Sequence, residues 1–262
     1  MMLPMAECTP FEGSLTAETA ILVDAQTGKV LYEKDADKRI YPASTTKMMT
    51  AILAIEEVSP LKIIGVSEYA AQAEGSSAKL QAGDRIQMQD ALYGLMLPSG
   101  NDAAIAIAEH IDGSTEAFAE RMTQKAHDLG AVNTQFVNPN GLPDERHYTT
   151  ARDLAVIASY AYQSKRFRNI VKLEKRSIRV WNTNRTIAYR NTNALLGRMD
   201  GCDGIKTGMT RAAGQCLVAS ASRGGVSLIA VVMKAADGQR WQEAQDLLEY
   251  GFGQMTENKT AA

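Results

Sequence analysis

The sequence predicts an α+β fold (α/β in the broad sense): an antiparallel sheet of about five strands, sandwiched by helices, with a helical insert. Three observations predict it. A strand–turn–strand pattern opens the readable part of the chain, a long middle stretch carries helical periodicity, and three apolar strands with tight turns precede a closing amphipathic helix. Meander connections make the late strands antiparallel. Helices at both ends of the strand-forming segments give each face of the sheet a cover.

The elements follow in order. Ala20–Asp24 and Lys29–Tyr32 are strand-like runs around Ala25-Gln26-Thr27-Gly28, whose glycine suits a turn. Pro42-Ala43-Ser44 then leads into a helix over Thr45–Glu57, where Met48, Met49, Ile52, Leu53 and Ile55 leave little polar face. Helices are expected over Gln87–Leu97 and Asp102–Ile111, split by Pro98-Ser99-Gly100-Asn101, and over Ser114–Leu129, capped by Ser114 and stopped by Gly130. Thr150-x-x-Asp153 resembles a capping box for a helix running to about Tyr162. Lys175–Trp181 and Arg185–Arg190 alternate as a polar hairpin. Gly204–Thr210, Gln215–Ser222 and Val226–Lys234 are the three further strands, and Arg240–Gly251 is the last helix. One domain is expected over 13–254, with the helical part at about 44–172 and flexible ends at 1–12 and 255–262.

Composition narrows the function. A hydrophobic content of 45%, a charged content of 22% and a net charge of −2 describe an ordinary globular chain. No basic run stands out, so nucleic acid is not an expected partner. Cys8, Cys202 and Cys216 form no paired spacing and are read as packing or bystander thiols. His110, His127 and His147 lack metal-ligand spacing, so neither a metal nor another cofactor is expected, and a loop hydrogen bond is the expected use of His147. No apolar run is long enough to span a bilayer. The first residues lack the charged-then-apolar layout of a signal peptide.

Three short motifs stand at element boundaries. Ser44-Thr45-Thr46-Lys47 begins a helix, where residues three apart share a face, so the Ser44 hydroxyl and the Lys47 amine can meet as nucleophile and base. A capping serine with a surface lysine would give the same letters. Ser99-Gly100-Asn101 lies between helices, equally at home as a C-cap and loop. Lys206-Thr207-Gly208 lies in a strand, where the lysine and threonine could offer a cation and a hydroxyl to a carboxylate. Glycine there marks close approach of a backbone or ligand. Arg240, at the start of the final helix, is either an exposed helix-start arginine or a neighbour of the same pocket.

In this order the motifs resemble the penicillin-binding protein and serine β-lactamase superfamily. Within it the chain is similar to the D-alanyl-D-alanine carboxypeptidases among the low-molecular-weight penicillin-binding proteins. The likeness runs from Ala20 to Phe252 and includes Tyr41–Met48, Leu97–Ala104, Phe136–Leu142, His147–Leu154, Asp203–Gly208 and Ala213–Leu217. It implies a β-lactamase/DD-peptidase-like fold and an extracytoplasmic enzyme that removes the terminal D-alanine of peptidoglycan stem peptides ending in D-Ala-D-Ala. β-Lactams would be its covalent inhibitors.

By the same resemblance Ser44 attacks the scissile carbonyl, Lys47 takes its proton, Ser99 relays a proton to the leaving amine and Asn101 holds the substrate amide. Lys206 and Thr207 meet the terminal carboxylate, Gly208 permits the approach, and the N–H groups of Ser44 and Met209 form the oxyanion hole. Arg240 aligns with a family arginine near the carboxylate pocket. Family members commonly continue into a β-rich domain and an amphipathic anchor, so membrane contact is expected only through such a further segment. An endopeptidase on cross-linked wall and a non-catalytic β-lactam or peptidoglycan sensor are the competing expectations. A class A β-lactamase is disfavoured, because Gly100 stands where that class has Asp and the loop Asn138–Pro143 offers no glutamate.

Overall fold

The computed structural model describes residues 11–260. The expectations for the first residues, including Cys8, lie outside these. The central sheet has five strands in the order β2-β1-β9-β8-β7, every neighbouring pair antiparallel. These are β1 (Thr19–Asp24), β2 (Val30–Lys34), β7 (Cys202–Thr210), β8 (Gly214–Arg223) and β9 (Val226–Ala235). Successive strand side chains point to opposite faces. Ile21, Val23, Val218, Ile229 and Val231 therefore join the core beneath the helical block, while Ala20, Leu22, Leu217, Leu228, Ala230 and Val232 join the other.

The helical block comprises α1 (Lys47–Glu57), α2 (Glu68–Ala71), α3 (Met88–Met96), α4 (Asn101–Asp112), α5 (Thr115–Asp128), α6 (Ala151–Gln163) and α7 (Lys165–Val171). Two small hairpins accompany it: β3 (Ile63–Gly65) with β4 (Arg85–Gln87), and β5 (Lys175–Arg179) with β6 (Thr186–Arg190). The strands β3 and β4 and the helices α2 and α7 are too short to show periodicity, and the sequence reading passed over them. Helix α1 is almost wholly buried from Lys47 to Ala54, which explains its lack of a polar face.

Three local differences are instructive. The helix expected from Thr45 begins at Lys47, preceded by a 3₁₀ turn over Ala43–Thr46. In such a turn residues i and i+3 eclipse, which places Ser44 and Lys47 on the same side of it. Thr150 caps α6, accepting from Asp153 N at 3.0 Å. The Asp153 carboxylate also reaches the preceding loop, accepting from Asn133 N and Thr134 Oγ1 at 2.8 and 2.7 Å and tying it down.

The last helix, α8 (Arg240–Thr260), does not stop at Gly251. A Cβ there would lie 2.6 Å from Leu228 Cδ1 and 2.8 Å from Leu22 Cδ2. This glycine is a contact point with the sheet, set by packing rather than by capping.

Candidate active site

The three motifs converge where β7 passes the 3₁₀ turn. Gly208 makes that passage possible: a Cβ would lie 3.1 Å from Pro42 O and 3.3 Å from Ser44 N. The backbone it admits in this structure is the chain's own turn. Ser44 is half-buried, with its hydroxyl 2.9 Å from Lys47 Nζ.

Lys47 is wholly buried and has two further partners, Asn101 Oδ1 at 2.7 Å and the Asn140 carbonyl at 2.8 Å. Both are acceptors only. A neutral amine has two N–H groups and one lone pair. With its hydrogens committed to the two carbonyl oxygens, the lone pair is left facing the Ser44 hydroxyl. Burial, and then the charge of Lys206, hold the Lys47 ammonium well below the usual lysine range, with the Asp102 carboxylate pulling the other way.

Ser99 and Asn101 flank the turn into α4. Asn101 is oriented from both ends: Oδ1 accepts from Lys47, and Nδ2 donates to the Glu74 carbonyl at 2.5 Å. Gly100 between them has a steric reason, since a Cβ would fall 2.5 Å from Asp102 Oδ1 and 2.6 Å from Ala78 Cβ. Asp102 is buried and accepts from Ser77 Oγ, Ala78 N and Leu80 N, fastening the 77–80 strap to the start of α4. Ser99 adopts φ 66° and Ala43, just before Ser44, φ 48°. Such conformations cost about 1–3 kcal/mol each and cluster at functional sites.

Lys206 is buried, 2.9 Å from Ser99 Oγ and 2.9 Å from the Thr207 carbonyl. Burial, and then the Arg240 charge, lower its pKa to about 7. Thr207 Oγ1 lies 2.6 Å from Thr192 Oγ1. Arg240 donates from Nη1 to the Gly208 carbonyl at 3.1 Å and stacks over Trp241, while its buried Nε has no hydrogen-bond partner. It is therefore beside the Lys206-Thr207-Gly208 strand and not free at a helix start. The Met209 side chain is exposed, leaving only its backbone to serve the site.

Sequence reasoning missed several contributors. The Asn140 carbonyl, Asp102 and Gly141 lie within segments quoted for the resemblance but were given no role, and Thr192 carried no signal at all. Gly141, at φ +89°, would place a Cβ 1.9 Å from Ala43 O. Its lack of a side chain lets the Asn140 loop close on the 3₁₀ turn that holds Ser44. His147 takes the loop role expected of it: buried, it meets Thr46 Oγ1 through Nε2 at 2.9 Å and accepts from Val137 N at Nδ1. The thiols of Cys202 and Cys216 are free and raised to about 11, chiefly by burial.

One buried Lys thus lies 2.9 Å from a serine hydroxyl, and a second buried Lys lies 2.9 Å from another. Residues 5–237 match the family described as D-alanyl-D-alanine carboxypeptidase. The chain belongs to this family. Among curated relatives of this carboxypeptidase family, it is 38% identical over 244 residues to DacF of Bacillus subtilis, covering 91% of this chain and 62% of that one. It is 36% identical over 263 residues to DacC of Escherichia coli, covering 94% of this chain and 64% of that one. The chain thus spans a little over three fifths of these two relatives. The crystal structure of the Streptomyces DD-transpeptidase matches with a TM-score of 0.87 at 34% identity, covering 92% of this chain and 98% of the other. The fold is that of these DD-peptidases.

Proposed function

We propose that this chain is a serine D-alanyl-D-alanine carboxypeptidase that trims peptidoglycan stem peptides outside the bacterial cytoplasmic membrane and is acylated by β-lactams. The observation that carries the reading is the buried Lys47 amine 2.9 Å from Ser44 Oγ, oriented by its two other partners, with burial and the Lys206 charge lowering its pKa. Ser44 attacks the carbonyl between the terminal D-alanines as its proton passes to Lys47. The N–H groups of Ser44 and Met209 receive the developing oxyanion.

Ser99, held by Lys206, delivers a proton to the departing D-alanine amine, and water later releases the acyl group. Lys206, Thr207 and Arg240 supply the cations and hydroxyl for the terminal carboxylate, and β7, an edge of the sheet, pairs with the substrate backbone. Gly208 keeps β7 against the nucleophile turn, while Asn101 positions Lys47 and holds the substrate amide. Among the described residues no helix is long and apolar enough to cross a membrane.

Intact-mass analysis after benzylpenicillin, with D-alanine release from diacetyl-L-Lys-D-Ala-D-Ala, tests this on the wild type, Ser44→Ala and Lys47→Met. One adduct absent from Ser44→Ala, and a fall in release of at least about 10² in Lys47→Met, are expected. An adduct without release would replace the reading with a sensor or a cross-link endopeptidase. No adduct from folded protein would overturn it.

A further inference from the structure

Residues 165–190 hold nine of the chain's 28 Lys and Arg and one of its 30 Asp and Glu, a net +8 in a chain of net −2. The remainder therefore carries about −10. The expectation that no basic segment stands out fails here. Apolar residues interleave with the charges, and only the fold shows which cations reach solvent.

Four of the nine are engaged with the chain. Arg166 bonds Gln89 and the ends of α1, Arg168 the carbonyls that close α6, and Arg185 Asp84, while Arg176 stacks over Tyr93. The side chains of Lys165, Lys172, Lys175, Arg179 and Arg190 make no hydrogen bond or ion pair with the described residues.

The last three share one face. Ile178, Ile187 and Tyr189 of the β5–β6 hairpin point inward, so Lys175, Ser177 and Arg179 point outward, opposite Arg190, Ala188 and Thr186. Lys175 and Arg190 are directly cross-strand partners. Like charges so placed repel, yet neither side chain forms an ion pair with a carboxylate of the described residues. Small side chains between the cations leave them unshielded over about 13 Å of strand.

The face adjoins the cleft. Two residues beyond Arg190, Thr192 touches Thr207, and Asn193 Nδ2 donates to the Gly204 carbonyl of β7 at 2.8 Å.

We infer that the outer face of the β5–β6 hairpin is a docking surface for the anionic wall polymer itself: the carboxylate-bearing peptidoglycan strands flanking the stem peptide in the cleft. This rests on the proposed carboxypeptidase reading for its substrate. The negative remainder of the surface repels such a polymer and leaves the hairpin as the side that attracts it. A lipid surface fits less well, because the face offers one large exposed apolar side chain, Trp181, where interfacial binding needs several.

The test is cosedimentation of Ser44→Ala protein with purified peptidoglycan sacculi stripped of phosphate polymers, with and without Lys175→Gln/Arg179→Gln/Arg190→Gln. In parallel, D-alanine release from diacetyl-L-Lys-D-Ala-D-Ala and from sacculi is followed on the Ser44 background. The expected result is roughly tenfold weaker sacculus binding for the triple Gln variant, lost in the wild type too at about 0.5 M salt. Release from the short peptide stays unchanged while release from sacculi falls. The charge-conserving set Lys175→Arg/Arg179→Lys/Arg190→Lys retains binding.

Equal sacculus binding by both proteins overturns the inference. So does binding that appears only on walls retaining phosphate polymer, or only on anionic phosphatidylglycerol vesicles. Absence of D-alanine release from either substrate by the wild type would instead strike the carboxypeptidase reading, since sacculus binding is measured independently of it.

Discussion

His147 links the acid stability of the protein to its active site. The ring is buried, and Nδ1 accepts from Val137 N, so the single proton of the neutral form sits on Nε2 and faces Thr46 Oγ1, the residue just before Lys47. Burial lowers its pKa from 6.5 to about 4. Between those values the unfolded chain binds a proton that the native state refuses, so stability falls as pH falls. The slope approaches about 1.4 kcal/mol per pH unit and the total at pH 4 is about 3 kcal/mol.

Urea unfolding of wild type and His147→Gln at steps from pH 7.5 to 4 measures this. The variant is expected to be less stable at pH 7.5, having lost two buried hydrogen bonds, but to close on the wild type as the pH drops. Taking the difference between the curves cancels the carboxylates that titrate in the same range. Asp90 and Asp153, both raised mainly by burial, would otherwise oppose the trend. Curves that stay parallel from pH 7.5 to 4 would refute the assignment of the neutral tautomer and its role.

Two other outcomes follow from the geometry. On the proposed mechanism kcat/KM for D-alanine release rises with pH as Lys47 loses its proton and falls as Lys206 loses its own near pH 7; Arg240→Gln removes the charge that depresses Lys206, so the falling limb should move to higher pH even as KM rises, and a limb that stays put would contradict it. Gly141→Ala should destabilise by about 3 kcal/mol or more and slow acylation, because its Cβ would collide with Ala43 O, whereas Gly28→Ala, at φ +70° with nothing within 4 Å, should cost only about 1 kcal/mol; equal effects in urea unfolding would refute the packing argument.

Much of this was legible in the sequence because the signals are local. The β1–β2 hairpin, α3 to α6 and the β7–β9 meander announce themselves by periodicity and turn residues. The Ser44 and Ser99 motifs each sit at a boundary that a propensity change marks, and the Lys206 motif stands out as a lysine and a glycine inside a strand. What escaped depends on distance in the chain. Asn140 reaches Lys47 through a backbone carbonyl, which any residue supplies, so its identity says nothing. Thr192 matters only because the fold sets it against Thr207. Gly251 looks like a helix stop until the sheet beneath it is known. The cations of 165–190 look diluted until the fold shows that four of them engage the chain and three of the rest share one face.

The two buried lysines set selection and folding against each other. Holding Lys206 at about 7 rather than 10.5 means the native state disfavours its charged form by as much as about 5 kcal/mol, a sizeable part of what an ordinary domain has to spare. Lys47 adds to the same burden. An apolar residue at either position would relieve it in one mutational step. On the proposed reading such a chain would have a sounder fold that no longer turns over, so a lineage released from the need for D-alanine removal would have a downhill route to an inert receptor with the cleft intact. By the same reading, a chain that keeps both lysines keeps a costly pair that only the chemistry requires.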